Sequence, residues 1–492
     1  MKKTMRFLSM AALALMGAMM TGCSSSDDSI ADIPQQPENT SKKTVTLTTT
    51  VGLDAGATTR ALTGEGVKTF AVGETMAVIY YNGTSTVKAV SHALEAGDIT
   101  NEGKNATFTF DLETPNKSAS VLYIYPAAMA GDTGVDFTKL KTQEGTFDAL
   151  QSKYDLCTNF GAWDGDNLPS LTLENRLAIL AITLKDEAGT SDITSSITGL
   201  TLSDGTKTYN VNRSAVAGPI YVAIFPTADA TITVTATNGT LEYTKTLTSK
   251  TYDANNGYSV SWKMDLPVLD IETYEETTYT VTEDMVITGS RDGFAIYTDG
   301  SHEITLDNVN GEIYLEFNSP MTIKLKGENR LLKISCYPQV TIDDAGDGDG
   351  TLIVIAEDNA IYLTPEGGGD EGTLIINGGT VKAKVTLIDY AVTGNLIVNG
   401  GAVYLKGVYN EDFHGFPAIY ENLTVNGGNV YIAGGDGARA VQGDIDGKAK
   451  LYGWDENDGW SQFGAEQYNM YNYQYITTDE NSGYPTDSKW TW

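Results

Sequence analysis

"TLIINGGTV" at 373–381, "NLIVNGGAV" at 395–403 and "NLTVNGGNV" at 422–430 write one phrase three times, an apolar run closed by Asn-Gly-Gly. Asn377, Asn399 and Asn426 are separated by 22 and then 27 residues. A repeat of that length cannot bury its apolar face alone, so successive copies have to stack. The spacing predicts a parallel β-helix. In it, the asparagines ladder at one corner and the glycines supply the positive φ that a tight corner needs. These residues make a corner; they are not read as a binding site.

Working outward, other phrases recur with the same alternation: Ala295-Ile-Tyr297, Ala360-Ile-Tyr362 and Ala418-Ile-Tyr420, with Ile304-Thr-Leu-Asp307, Met321-Thr-Ile-Lys-Leu325 and Val340-Thr-Ile-Asp343. At about 22 residues per coil, residues 281 to 450 make roughly seven or eight coils. Helical periodicity is scarce along the whole chain, and two-residue alternation is common, as at Phe108 and Phe110 or Ile232 and Val234. The fold class is all-β. At 492 residues the chain exceeds one ordinary core. Acidic residues outnumber basic ones 64 to 32, and no stretch of sequence gathers Lys and Arg. That excludes nucleic acid and anionic membrane surfaces as partners.

The first 22 residues carry Lys2, Lys3 and Arg6, then an apolar stretch from Phe7 to Met20, and close on Met20-Thr-Gly-Cys23. This resembles a bacterial lipoprotein signal, which implies that Cys23 becomes the acylated first residue; Met20 stands where such signals usually carry Leu. Residues 23–43 are polar and read as a flexible tether. Cys157 and Cys336 lie in different predicted domains, and neither belongs to a metal pattern.

Strand patterns then run through Val45-Thr-Leu47, Phe70 to Tyr81, Ala106 to Phe110 and Val121 to Pro126, and a second set runs from Leu173 to Trp262. The loop at 164–169 sets the boundary between them. The order of lipoprotein signal, first strand, Thr-Thr-Arg-Ala at 58–61, "AVGETMAVIYYNG", "VLYIYPA", "LENRLAILAITL" and "IYVAIFPTADATITVTATNG" resembles the fimbrillin family of Bacteroides-type pili over about residues 44–265. The resemblance implies two tandem transthyretin-like β-sandwich domains, at 44–168 and 169–267, ahead of the β-helix at 268–451 and an aromatic segment at 452–492. It also implies cleavage between Arg60 and Ala61, excision of the first strand, and partnership with other fimbrillin subunits by strand exchange. The location implied is the outer membrane, as a lipid-anchored surface protein, or the fimbrium. Losing one strand of a sandwich leaves unpaired backbone and an apolar slot that another strand can fill. The alternative is a linker arginine in a subunit that keeps its strand.

Two features of the second half are left unexplained by the coils. Asp343, Asp344, Asp347 and Asp349 on a glycine-rich loop supply hard oxygen ligands suited to a structural Ca²⁺, although the spacing lacks a full calcium loop and reads more readily as a solvated turn. No other cofactor is expected. Trp454, Asp455, Asp458, Trp460, Tyr468, Tyr471 and Tyr473 place flat rings beside polar groups, which suits a sugar ring. The competing role is a cap on the open end of the stack. The segment as a whole also resembles carbohydrate-binding β-helix proteins in its "ITLDN" and "INGG" phrases. The function expected is a surface adhesin at or near a pilus tip that binds a glycan or host surface. The alternatives are a structural subunit or anchor with the coils as spacer, and a polysaccharide-degrading enzyme. Bases are thin in the coils, and His92, His302 and His414 have no zinc spacing, so no enzyme is expected.

Overall fold

The structure, a computed structural model, describes residues 44–53, 69–346, 348–363, 372–411, 414–455, 459–463, 473–480 and 490–492. The described chain is nearly all β. Its N-terminal part contains β1 (Thr44–Leu53), β2 (Ala77–Tyr81), β3 (Thr86–Val90), β4 (Ile99–Thr100), β5 (Asn105–Glu113), β6 (Val121–Tyr125), β7 (Thr142–Gln143), β8 (Cys157–Gly161) and β9 (Leu171–Asn175). All but β7 form one eight-stranded sheet in the order β3-β2-β6-β8-β9-β1-β5-β4. Alternation decides what is buried. On β5, Ala106, Phe108, Phe110 and Leu112 point inward while their neighbours face out. They share a core with Val51 and Leu53 of β1 and with Tyr123 and Tyr125 of β6, so the two halves of the sheet face each other.

Next come β10 (Ala178–Lys185), β11 (Gly199–Ser203), β12 (Thr208–Asn212), β13 (Ile220–Ile224), β14 (Thr227–Thr237), β15 (Glu242–Tyr252), β16 (Asn256–Lys263) and β17 (Val268–Asp270). β13-β10-β16 make a three-stranded sheet, and β11, β12, β14 and β15 join a second one. The boundary expected at 168/169 falls one strand too early. β9 lies beyond it, yet pairs in parallel with β1 and antiparallel with β8. Conversely, β7 lies before it and pairs with β12. Gln143 fixes that crossing. Its buried amide donates to the carbonyls of Ala223 and Leu140 and accepts from Ala223 N–H.

From β17 to Ile445–Gly447 the stacked strands pair in parallel, on two ladders at first and, from Glu328–Leu331 on, in a recurring cycle of three. Gln339–Asp344, Thr351–Ala356 and Ile361–Tyr362 belong to the first, second and third ladders, and Thr373–Ile376 returns to the first. In the first ladder Ile304, Ile323 and Ile342 stack at 19-residue intervals, Val340 pairs with Leu374 across 34, and the Asn-Gly-Gly coils follow at 22 and 27. Coil length therefore varies well away from 22 while the inward file stays fixed: Leu374, Leu396 and Leu423 lie in register and are fully buried. The Ala-Ile-Tyr phrases all fall on the third ladder, where Ile419 bridges both Val392 and Val441. β15 pairs with β17 at Glu242 and Val268, and one apolar core runs from the second group of strands into the coils.

Candidate functional site

The candidate site is an apron of aromatic and basic side chains on the outer face of the second ladder, near the end of the stack. Alternation along Thr380–Val385, Ala402–Lys406 and Asn429–Ala433 sends Val381, Val403 and Val430 inward and Lys382, Tyr404 and Tyr431 outward. Because the rungs are in register, Lys382, Tyr404 and Tyr431 form one file, and Lys384, Lys406 and Ala433 the next. The rings of Tyr404 and Tyr431 stack at 4.8 Å and 11°. The Lys382 amine lies 5.9 Å from the Tyr404 ring.

The open edge of this ladder is covered by the chain's own end. Tyr475–Thr477 pairs antiparallel with Asn429–Ala433 on one side and with Leu451–Asp455 on the other. Leu451–Asp455 turns back through Gly459–Phe463 as a hairpin that sets Trp454 opposite Trp460. This satisfies an edge that would otherwise present unpaired backbone groups. Buried Trp490 and Tyr475 pack with Ala433, and Trp454, Trp492, Tyr404 and Tyr431 lean on that cluster. Lys384 holds the arrangement. Its amine donates to the carbonyl of Trp490 at 3.0 Å and of Trp492 at 3.5 Å and sits 4.5 Å from the Trp492 ring. Burial, with Lys406 and Arg330 nearby, lowers the Lys384 pKa below its ordinary value. The Lys406 amine lies 5.8 Å from the Trp490 ring.

Of the residues expected to bind sugar, Trp454, Trp460 and Tyr473 are brought together here. Trp460 is 42% exposed and meets Tyr475 edge-on at 5.8 Å. Tyr473 has a different role from the one expected. Its ring is 4% exposed, its hydroxyl hydrogen-bonds Ser461 at 2.7 Å, and Gly453 leaves the space that the ring fills. A buried ring has no face to offer a ligand, so Tyr473 packs the cap. Asp455 is placed by its backbone in the hairpin, and Asp458, Tyr468 and Tyr471 lie outside the described residues. Sequence reading missed Lys382, Lys384, Lys406, Tyr404 and Tyr431. It found no gathering of bases because Lys382 and Lys384 make only a pair and Lys406 lies 22 residues beyond Lys384; the 22- and 27-residue registers bring them and the two tyrosines onto one face. The arrangement can stack a sugar ring and donate hydrogen bonds to its hydroxyls.

The acidic loop is organised by backbone hydrogen bonds to its carboxylates. Asp344 accepts hydrogen bonds from the N–H groups of Gly346, Gly348 and Gly350 at 2.7, 2.8 and 3.2 Å, which occupies both of its oxygens and folds the loop. Asp343 takes the N–H of Asp344, Asp349 is exposed, and Asp347 lies outside the described residues. Among the described residues no three metal-ligating side chains converge. Cys157 and Cys336 are buried free thiols, and burial pushes Cys336 up to about 12.

At the other end of the chain, β1 occupies an interior place in its sheet, between β9 and β5. Val51, Gly52 and Leu53 pair with Leu171, Thr172 and Leu173, and the Thr49 hydroxyl donates to the Pro169 carbonyl at 2.9 Å. Cys23, Arg60 and Ala61 lie outside the described residues.

No family model and no curated protein matches the sequence. Among solved structures the chain is similar to a fimbrial assembly protein from Parabacteroides distasonis, at 12% identity and a TM-score of 0.25, covering 44% of this chain and 91% of that one. It is also similar to the tip fimbrial protein Mfa3 from Porphyromonas gingivalis, truncated at its C-terminus, at 11% identity and a TM-score of 0.21, covering 45% and 95%. At those TM-scores the likenesses do not establish a shared fold.

Proposed function

We propose that the chain is a non-enzymatic cell-surface adhesin of the fimbrillin type, anchored or delivered through an acylated Cys23. In this reading two β-sandwich domains carry a projecting parallel β-helix, whose aromatic apron meets a glycan or host surface. The observation that carries it is the place of β1. A strand inserted between two hydrogen-bonded neighbours, with Val51 and Leu53 in the core, is followed by a 15-residue stretch at 54–68 that contains Arg60. Its excision after Arg60 leaves a slot with two pairing edges and an apolar floor, which a strand of another subunit can fill. The apron supplies the ligand-bearing end: Trp460, Tyr404 and Tyr431 beside Lys382 and Lys406.

The test is incubation of the full chain with an arginine-specific protease, followed by N-terminal sequencing of the product. A new terminus at Ala61 supports strand exchange, and a first residue other than Ala61 sinks it. The full integration of β1 in its sheet also favours a second reading, an anchor subunit that keeps the strand and uses the coils as a spacer. Such a subunit stays uncut at Arg60 and binds nothing on a glycan array.

A further inference from the structure

We propose that the outer face of the third ladder is a second carbohydrate site, a shallow groove that takes a strand of uncharged polysaccharide. It rests on the coil stack being the ligand-bearing part, uses none of the apron residues, and is independent of strand excision. A groove of about 550 Å³ opens over this face, lined among others by Tyr314, Glu316, Lys333, Ser335, Tyr337 and Tyr362. Register decides its shape. Tyr297, Glu316, Ser335 and Tyr362 occupy the same outward position on four successive rungs, and Tyr314 and Lys333 share the neighbouring file. Parallel rungs repeat at about 4.8 Å, so the file sets the hydrogen-bonding groups of Glu316 and Ser335 between two rings along a straight line. A linear polymer matches a straight file, where a compact ligand would leave most of it empty.

The chemistry favours sugar over a peptide or an ion. Tyr297 and Tyr337 are each 36% exposed, and among the described residues the hydroxyls of Tyr297, Tyr314, Tyr337 and Tyr362 have no protein partner. Such rings cover the apolar face of a pyranose while their hydroxyls, Glu316 and Ser335 meet its equatorial groups. Charge selects the class. The Lys333 amine is held by both oxygens of Asp358 at 3.0 Å and lies 5.9 Å from the Tyr362 ring, which leaves Glu316 as the uncompensated charge in the groove. In a chain of net charge −32, that repels uronate and sulfate polymers and tolerates neutral ones.

The test measures binding of the full chain to laminarin, galactomannan and arabinoxylan by affinity electrophoresis, with polygalacturonate as the charged counterpart. At least one neutral polymer is expected to retard the protein. Tyr314→Ala and Tyr362→Ala should each weaken that binding about tenfold, whereas Phe160→Ala, at an exposed ring of the N-terminal sheet, leaves it unchanged. Should an alanine variant lose the fold, Glu316→Gln, an exposed and nearly isosteric change, gives the same readout through a lost acceptor. The proposal is overturned if none of the neutral polymers binds, if polygalacturonate binds as tightly, or if the loss is confined to Trp460→Ala. That last outcome assigns ligand binding to the apron and leaves the proposed function standing.

Discussion

The side-chain amide of Asn399 donates to Oδ1 of Asn377 at 2.9 Å across 22 residues of sequence, and Asn426 donates in turn to Asn399 at 2.9 Å. Asn399 is the middle rung of this file. Asn399→Ala removes both bonds at once and is expected to destabilise the chain by about 1–2 kcal/mol, less than a buried loss because water reaches the corner. Asn426→Ala removes only the bond to Asn399 and should cost about half as much. Chemical denaturation of the two variants checks the order.

The third residue of each corner carries the strain. Gly401 has a φ of +74°, and a Cβ there would stand 2.3 Å from the carbonyl oxygen of Gly379 on the coil below. Gly437 has a φ of +75° with nothing within 4 Å. Alanine at either position suffers the left-handed backbone, about 1–2 kcal/mol, but only Gly401→Ala adds a clash between coils. It should therefore be worse than Gly437→Ala by about 2 kcal/mol, and equal unfolding midpoints would refute the stacking argument.

The same corners show what a sequence displays and what it hides. Asn-Gly-Gly is legible because the corner needs specific residue types, and two-residue alternation is legible because each strand buries one face. Coil length is not, because Ile323, Ile342 and Ile376 stay in one file while their spacing changes from 19 to 34 residues. The exchange of β7 and β9 across the predicted boundary was hidden for a related reason. Pairing partners 68 or more residues apart leave no local mark, and a two-residue strand such as Thr142–Gln143 has no period to read. The apron was half legible, since the tail's aromatics announce themselves but Lys406 joins Lys382 and Lys384 only through register.

Gln143 bridges two elements that the chain order keeps apart, and its buried amide satisfies both backbone groups of Ala223. Gln143→Leu keeps the volume and strands that N–H and that carbonyl away from water. The expected loss is about 2–4 kcal/mol, from two unpaired buried groups, and a thermal unfolding curve measures it. Gln143→Glu should recover little, because it meets the Ala223 carbonyl with an acceptor.

Alkaline pH should destabilise the chain through tyrosines that burial holds protonated, Tyr209 and Tyr279 among them. Burial pushes Tyr209 up to about 12, and burial with Glu283 and Tyr274 does the same for Tyr279. Both folded values lie above the ordinary value of 10. The unfolded chain therefore releases these protons first as pH rises, so their stabilising contribution is full below pH 10 and is lost as pH rises through about 12. Each costs about 1.4 kcal/mol per pH unit in that window. Tyr279→Phe removes one such proton and should shift the alkaline midpoint upward. Circular dichroism followed against pH for the parent and the variant checks it, and equal alkaline midpoints would contradict the prediction.

Lys384 ties the last described residues to the second ladder through the carbonyls of Trp490 and Trp492 and the Trp492 ring. Two mechanisms act there, and substitution separates them. Lys384→Met keeps a flexible chain against the ring but loses the donors, whereas Lys384→Ala loses both, so the alanine variant should be the more damaging, by about 1–2 kcal/mol in all. Trp490 is buried, and its release should move tryptophan emission to longer wavelength and raise acrylamide quenching. If Lys384→Ala shows the parent emission spectrum, the segment is held by its apolar packing on Ala433 and Tyr475 alone, and the amine serves the apron's outer face instead.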